Sequence, residues 1–459
     1  MTAPAVATTG SVGAGDLEAL VARVAAQARP GEQVEAFASR SQSTSVVAHG
    51  GEVESLSVAD AAGVGIRVVV DKRQGFAHCG TLDDAAVAAT LAEARDNARY
   101  AEVDPHAGLA EPDGAEPVVL PFDPEPVATL AVEDKVARAI ALEAATRSAD
   151  GRITGVRAAT YGDGIGHAAV ATSTGIAASD SSVSAYLSVS ALASDGTATT
   201  AGWSVDAARD PGELAGDRVA GEAAARAVGL LGAGPVASRR CPVVFEPRLA
   251  ATVFGLLASS LSGERLAKGR TPFAGRVGEQ VAAPCLTLVE DPTDERSLAA
   301  ETHDGEGLAT RRTALVEAGV LCNFLHNTWT ARRLGTASTA SAVRGYRSTP
   351  GVGAAALSVV PGLVGQDELV AGIDDGLWVQ SLTGLHSGVN LVSGDVSVGV
   401  EGFLIRNGEL AEPVREVTLA STLQRMLTGI VAVGSDLTWL PGGTASATVV
   451  IDGMSLGGS

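Results

Sequence analysis

The feature that most limits how this chain can fold is a stop near its middle. An Ala-rich helical pattern over Glu213 to Leu231 runs into Gly232-Ala-Gly-Pro235, where Gly and Pro together end a helix. Ser238-Arg-Arg240 and an apolar strand pattern, Pro242 to Phe245, follow. A β-rich C-terminal domain is therefore expected over 238–459. The 459 residues leave room for two or three domains of roughly 150 residues each. Upstream, 105–126 is rich in Pro, Gly and acidic residues and has no period, so it reads as a connector. An N-terminal α+β domain at 1–104 and a central α+β domain at 127–235 complete the expected division.

Periodicity fills in these units. Asp16 is placed as the N-cap of a helix whose inner face carries Leu17, Leu20, Val21, Val24 and Ala28. Four short strands follow, Val34 to Ala38, Ser45 to His49, Glu52 to Ala59 and Ile66 to Asp71. Gly50-Gly51 and Gly63-x-Gly65 are read as breaks in an antiparallel meander. Thr81-x-x-Asp84 resembles a capping box before an amphipathic helix that ends near Tyr100. The central unit has a helix over Val132 to Arg147 and strands at Ile153 to Thr160 and Ala168 to Ser173. In its next strand Val183, Ala185, Leu187, Val189 and Ala191 alternate with mostly Ser. Past a helix at Arg248 to Leu261, the C-terminal domain reads as short strands and turns, with a hairpin at Asn407-Gly408. The fold class is α+β, N-terminal α/β units with antiparallel strands and amphipathic helices leading into a β-rich C-terminal domain. Hydrophobic residues are 46% of the chain and aromatics only 3%, so the core must be built from Ala, Val and Leu.

Charge removes one class of partner. A net charge of −20 repels phosphate backbones, so nucleic acid is not expected as a ligand. Cys79, Cys241, Cys285 and Cys322 are far apart and form no C-x-x-C pair, which suits a reducing compartment. Met1 to Gly15 has no basic, apolar signal pattern, and no apolar run is long enough to cross a membrane. A soluble, cytoplasmic protein is expected.

Several motifs bear on chemistry. Gly453-Met-Ser455-Leu-Gly457 matches G-x-S-x-G, but a nucleophile elbow must lead into a helix and be followed by an acid and a His. A terminal strand of small residues is the better reading. Gly162-x-Gly164-x-Gly166 lacks the strand-turn-helix context of a dinucleotide site and reads as a turn between strands. The seven histidines form no close pair of the kind that presents two rings on one helix face. Glu301-Thr-His303-Asp304-Gly-Glu306 is the densest cluster of ligand-type side chains, and an acidic turn entering a strand accounts for it equally well.

Longer runs carry a family resemblance. Asp304 to Thr313, Leu315 to Leu321 and Phe324-Leu-His326-Asn327-Thr-Trp-Thr-Ala-Arg332-Arg333-Leu-Gly335 are similar to a strand-hairpin-strand-helix run of the TldD/TldE (PmbA) metallopeptidase family. Gly388-Val-Asn390-Leu-Val-Ser-Gly394-Asp395, Gly402 to Leu410 and Pro413 to Leu419 resemble its TldE/PmbA branch. TldD-type chains of this family carry H-E-x-x-x-H on a helix and a later Cys, which hold zinc for peptide hydrolysis. Lys268-Gly-Arg270-Thr-Pro-Phe273-Ala-Gly275 resembles the segment just after that helix, and counting back puts Phe254, Gly255 and Ser259 where His, Glu and His would stand. The resemblance therefore implies a TldE-like subunit with no catalytic residue and no metal of its own. A TldD-type catalytic subunit would carry the zinc, in a heterodimer that degrades or trims unfolded or extended peptides such as leader peptides. A homodimeric peptide-binding or scaffold protein is the alternative. His326, Asn327, Arg332, Arg333, Arg344, Asn390 and Asp395 are candidate contacts to peptide or partner. Around Gly351-Val-Gly-Ala-Ala-Ala356 the family often has Thr-Asn, which this chain replaces with Ala.

Overall fold

Strand patterns that look short in the sequence join into long strands in the structure, a computed structural model that describes residues 14–458. The N-terminal half is built on one six-stranded antiparallel sheet. Its strands are β1 (Glu32–His49), β2 (Glu52–Val70), β3 (Arg73–Cys79), β4 (Ile153–Thr172), β5 (Ala177–Ser194) and β6 (Thr199–Ala208). The order is β3-β2-β1-β4-β5-β6. Pairing of β1 with β4, from Glu35 opposite Thr172 to Ala48 opposite Ala159, carries the sheet across the 105–126 connector.

Two helix pairs cover this sheet. Helix α1 (Ala14–Ala25) and helix α2 (Asp84–Tyr100) bury Leu17, Val21, Val24, Val87 and Leu91 against Val34, Ala36 and Ile66. After the short α3 (Glu125–Ala128), α4 (Val132–Ser148) and α5 (Gly216–Gly229) bury Leu142, Val219 and Ala223 against Tyr161 and the alternating Val183, Ala185, Leu187, Val189 and Ala191. Small side chains let the layers approach closely. A Cβ on Gly75 would lie 2.0 Å from the Ala94 carbonyl of α2, and one on Gly202 2.1 Å from the Ala223 carbonyl of α5.

Four local expectations are corrected. Asp16 sits inside the first turn of α1 rather than capping it, where its charge complements the helix dipole. The cap of α2 is Asp83, whose Oδ1 accepts from the backbone N–H of Ala85 and Ala86, while Thr81 Oγ1 accepts from Asp83 N–H. Gly63-x-Gly65 does not break a strand, because both glycines lie within β2 and make room for Tyr346. A Cβ on Gly63 would lie 2.3 Å from the Tyr346 ring, and one on Gly65 2.2 Å from its carbonyl oxygen. Gly162-x-Gly164-x-Gly166 lies inside β4, not in a turn, and Gly162 accommodates the Tyr186 ring on β5.

The C-terminal half opens with β7 (Arg239–Phe245), followed by helices α6 (Pro247–Ser260), α7 (Gly263–Ala267) and, later, α8 (Thr328–Leu334). Strand β7 runs parallel to Asp375–Thr383 and antiparallel to Val449–Gly457, in a sheet that continues through Glu409–Thr422 and Asp395–Arg406. The latter two form the expected hairpin, with Asn407 at φ 50° and Gly408 at φ 80°. A smaller sheet holds Leu288–Glu290, Thr313–Glu317 and Leu357–Val359. One core joins both sheets and α6, through Val243, Phe245, Phe254, Leu257, Leu288 and Leu419 among others. Ser455 lies within the last strand, opposite Arg240 and Ala420, so Gly453 to Gly457 is strand and not a nucleophile elbow.

A buried ionic node ties the halves together. Arg67 on β2 donates to Glu35 on β1 from Nε (3.0 Å) and Nη2 (2.6 Å), and lies 3.5 Å from Glu306 of the C-terminal half. Arg344, also from the C-terminal half, donates to the same Glu35 and stacks 4.8 Å over Phe37. Among the described residues no helix is long and apolar enough to cross a membrane.

Candidate functional site

A roomy cleft in the C-terminal half, the main cleft, forms where α6 ends. Gly255 and Ser259 on the outer side of α6, with Ala258, make its floor. The chain then turns at Ser262, whose Oγ caps α7 by accepting from Glu264 N–H (3.3 Å). Gly263 must be glycine here, since a Cβ would lie 2.3 Å from His326 Nδ1, and its N–H donates to the Leu325 carbonyl (2.7 Å). This close approach aims Glu264, Arg265, Lys268 and Arg270 along one wall. Val352, Gly353 and Ala354 also line the cavity, which measures about 570 Å³. Past Glu264 and Lys268, which line both, a second cavity of about 430 Å³ continues toward Asn327, Trp329, Thr330 and Asp104.

Phe254, expected where TldD-type chains carry their first metal ligand, points into the core and is 1% exposed. Gly255 has no side chain, and Ser259 offers only a hydroxyl. The one carboxylate on the cleft wall, Glu264, is bridged to Lys268. These donors do not suit zinc, which is held by imidazole, thiolate and free carboxylate. Among the described residues no group of three or more His, Cys, Asp or Glu side chains is arranged to hold a metal ion.

The Glu301-to-Glu306 cluster is taken up by structural bonds. Asp180 on β5 accepts from Thr302 N–H (2.9 Å), Thr302 Oγ1 (2.6 Å) and His303 N–H (3.0 Å), which pins this turn to the first sheet. Asp304 accepts from the N–H groups of Glu306, Leu308 and Ala342, and Glu306 from that of Thr328. Burial and the neighbouring Glu306 push Asp304 up to about 7 despite its amide donors. Burial, then Asp180 and Asp304, push Glu301 up to about 8. These side chains face a separate cavity of about 230 Å³ between the two halves.

The residues singled out from sequence fall into three places. Asn327 lines the second cavity and caps α8, with Thr330 completing the capping box and Nδ2 donating to the Pro350 and Gly351 carbonyls. His326 beside it is buried, which lowers its pKa, and its Nδ1 lies 3.3 Å from Thr330 Oγ1. Arg332 donates to the Leu109 carbonyl (2.6 Å), and the exposed Arg333 stacks on Trp329, whose Nε1 donates to Asp104 (2.6 Å). Arg344 belongs to the buried node and does not face the main cleft. Asn390 and Asp395 lie apart in a surface hairpin, where Asn390 Oδ1 accepts from Val392 N–H and Asp395 accepts from Ser393 Oγ. Arg265 and Arg270 of the main cleft were not among the candidates, although Lys268-Gly-Arg270 served as the landmark that located the helix.

Comparison with known proteins agrees along the chain. Family models described as PmbA/TldA metallopeptidase domain 1, central domain and C-terminal domain match residues 34–98, 125–231 and 238–458. The metalloprotease PmbA of Escherichia coli O157:H7 is 28% identical over 406 residues, 88% of this chain and 87% of that protein. A metalloprotease PmbA homolog of Haemophilus influenzae is 27% identical over 434 residues, 94% of this chain and 93% of that one. Among solved structures, TldE from Thermococcus kodakarensis superposes with a TM-score of 0.88 at 25% identity, covering 97% of this chain and all of that one. A protein from Thermotoga maritima described as a putative modulator of DNA gyrase has the same fold, with a TM-score of 0.88 at 24% identity over 96% of this chain and all of that one.

Proposed function

The chain belongs to the PmbA/TldD metallopeptidase family, and from that premise we propose that it is a TldE-like, non-catalytic subunit of a zinc-dependent peptidase. The observation that carries this reading is the floor of the main cleft. Where the family resemblance sets the metal motif, helix α6 carries Phe254 turned inward and Gly255 and Ser259 turned to the cleft. A TldD-type partner would supply zinc, a general base and the hydrolytic step, in a cytoplasmic heterodimer. This chain would contribute a second wall to a shared chamber. The cleft suits an extended peptide, since it runs on past Lys268 into the second cavity and the small residues Gly255, Ala258, Ser259, Gly353 and Ala354 leave room beside its charged side chains. Unfolded or extended peptides, such as leader peptides, are the proposed substrates of the pair.

Co-expression with a homologue that carries H-E-x-x-x-H tests the reading. Co-purification, with cleavage of an unfolded peptide by the pair but not by this chain alone, is the expected result. Peptidase activity of this chain alone would overturn it. Stable self-association with no affinity for such a homologue would favour the scaffold alternative.

A further inference from the structure

The main cleft is cationic in a strongly acidic chain. Against a net charge of −20, its wall carries Arg265, Lys268 and Arg270 and a single acid, Glu264. Glu264 is bridged to Lys268. Among the described residues Arg265 and Arg270 enter no ion pair, whereas nearly every other arginine near a cavity is matched to a carboxylate or a carbonyl. Arg270 is exposed and Arg265 half-buried at the mouth of a pocket floored by Gly255, Ala258 and Ser259. Unpaired guanidinium groups beside a roomy, neutral floor suit a planar anion, which they can bind in a bidentate manner.

The extended backbone that also lines the cleft indicates what carries that anion. Val352 pairs with Ala342 in an antiparallel ladder, and the next residue, Gly353, donates its N–H to the Ser341 carbonyl (3.1 Å). Alternate residues of such a ladder turn their peptide groups to opposite sides, so Val352, which lines the cleft, directs its own away from the Ala342 strand. Gly353 and Ala354 beyond it add no bulk. We propose that this cleft is a carboxylate subsite, in which Arg265 and Arg270 hold a carboxylate of an extended peptide whose main chain lies along Val352 to Ala354. The inference rests on the cleft being peptide-facing, as proposed above, and it adds a selectivity. The carboxylate is either the peptide's C-terminus or an Asp or Glu side chain.

Binding of dye-labelled short peptides to the full-length chain, purified with whatever partner accompanies it, tests this without any turnover. Three probes of otherwise identical Ala/Val/Ser sequence are compared: a free C-terminal acid, its C-terminal amide, and the amide with one internal Glu. The acid is expected to bind at least roughly tenfold more tightly than the amide, as charged hydrogen bonds are worth. Recovery of affinity by the internal Glu would assign the site to side-chain carboxylates, and no recovery to the C-terminus. Arg265→Gln and Arg270→Gln should each abolish the difference between acid and amide, while the exposed Arg157→Gln on β4 should not. Equal binding of all three probes, absence of peptide binding, or an unchanged preference in both cleft variants would overturn the inference. A pair that cleaves peptides but ignores the carboxylate would refute this subsite alone. Carboxylate binding by a chain that forms no active pair would refute only the role proposed above.

Discussion

Replacing Glu35 by Gln should be among the most damaging single substitutions in this chain. The carboxylate is fully buried and accepts from two guanidinium groups, Arg67 at 4% side-chain exposure and Arg344 at 0%. Burial alone would raise its pKa, but Arg67 and Arg344 hold it below the ordinary value. An amide leaves both cations buried with only Glu306 to share, itself 3.5 Å from Arg67. Breaking a buried pair in this way costs about 3–5 kcal/mol, a large part of a total stability of roughly 5–15 kcal/mol. Because Glu35 and Arg67 come from the first sheet and Arg344 and Glu306 from the C-terminal half, the loss should also uncouple the two. Urea unfolding followed by tryptophan fluorescence, with Arg23→Ala as the control, measures both effects. The Arg23–Asp84 pair is exposed at 58% and 86%, so its loss should cost less than about 1 kcal/mol. Glu35→Gln should lower the urea midpoint far more and split or broaden the transition. An effect no larger than that of Arg23→Ala would refute the reasoning.

Three further outcomes follow from the structure. Glu301, held up at about 8, keeps its proton in the folded state after the unfolded chain has lost it, so stability should fall as pH rises from about 4.5 toward 8; Glu301→Gln should flatten that slope in unfolding curves taken across the range. Gly65→Ala should cost about 1–3 kcal/mol in the same assay, and Tyr346→Ala should not rescue it, because the obstacle is the Tyr346 carbonyl oxygen rather than its ring. Asn327→Ala removes the cap of α8 and two bonds to Pro350 and Gly351, so stability should fall by about 0.5–2 kcal/mol and the Gly351 and Val352 amides should exchange faster.

What the sequence revealed followed the range of the interactions involved. The alternation of Val183 to Ala191, the stop at Gly232 to Pro235 and the Asn407-Gly408 turn are set by neighbours a few residues away, and each could be read directly. Glycines at 63, 65 and 162 mislead a local reading because their reason lies far along the chain, in Tyr346 and Tyr186. No local pattern separates a glycine that breaks a strand from one that admits a ring. The site shows the same division. A motif landmark located α6 and with it Phe254, Gly255 and Ser259, whereas the arginines singled out near α8 turned out to stack or to bind carbonyls. Arg265 and Arg270 carried no local signal, because what distinguishes them is the absence of a partner, and partners are a property of the folded chain.

The central claim is that this chain is the half without zinc, and the most direct test is the metal content of the purified complex. Native mass spectrometry of this chain with an H-E-x-x-x-H homologue should show one zinc per pair, lost when the homologue's motif is substituted and unaffected by Ser259→Ala here. Two zinc ions per pair, or stoichiometric zinc on this chain alone, would contradict the account.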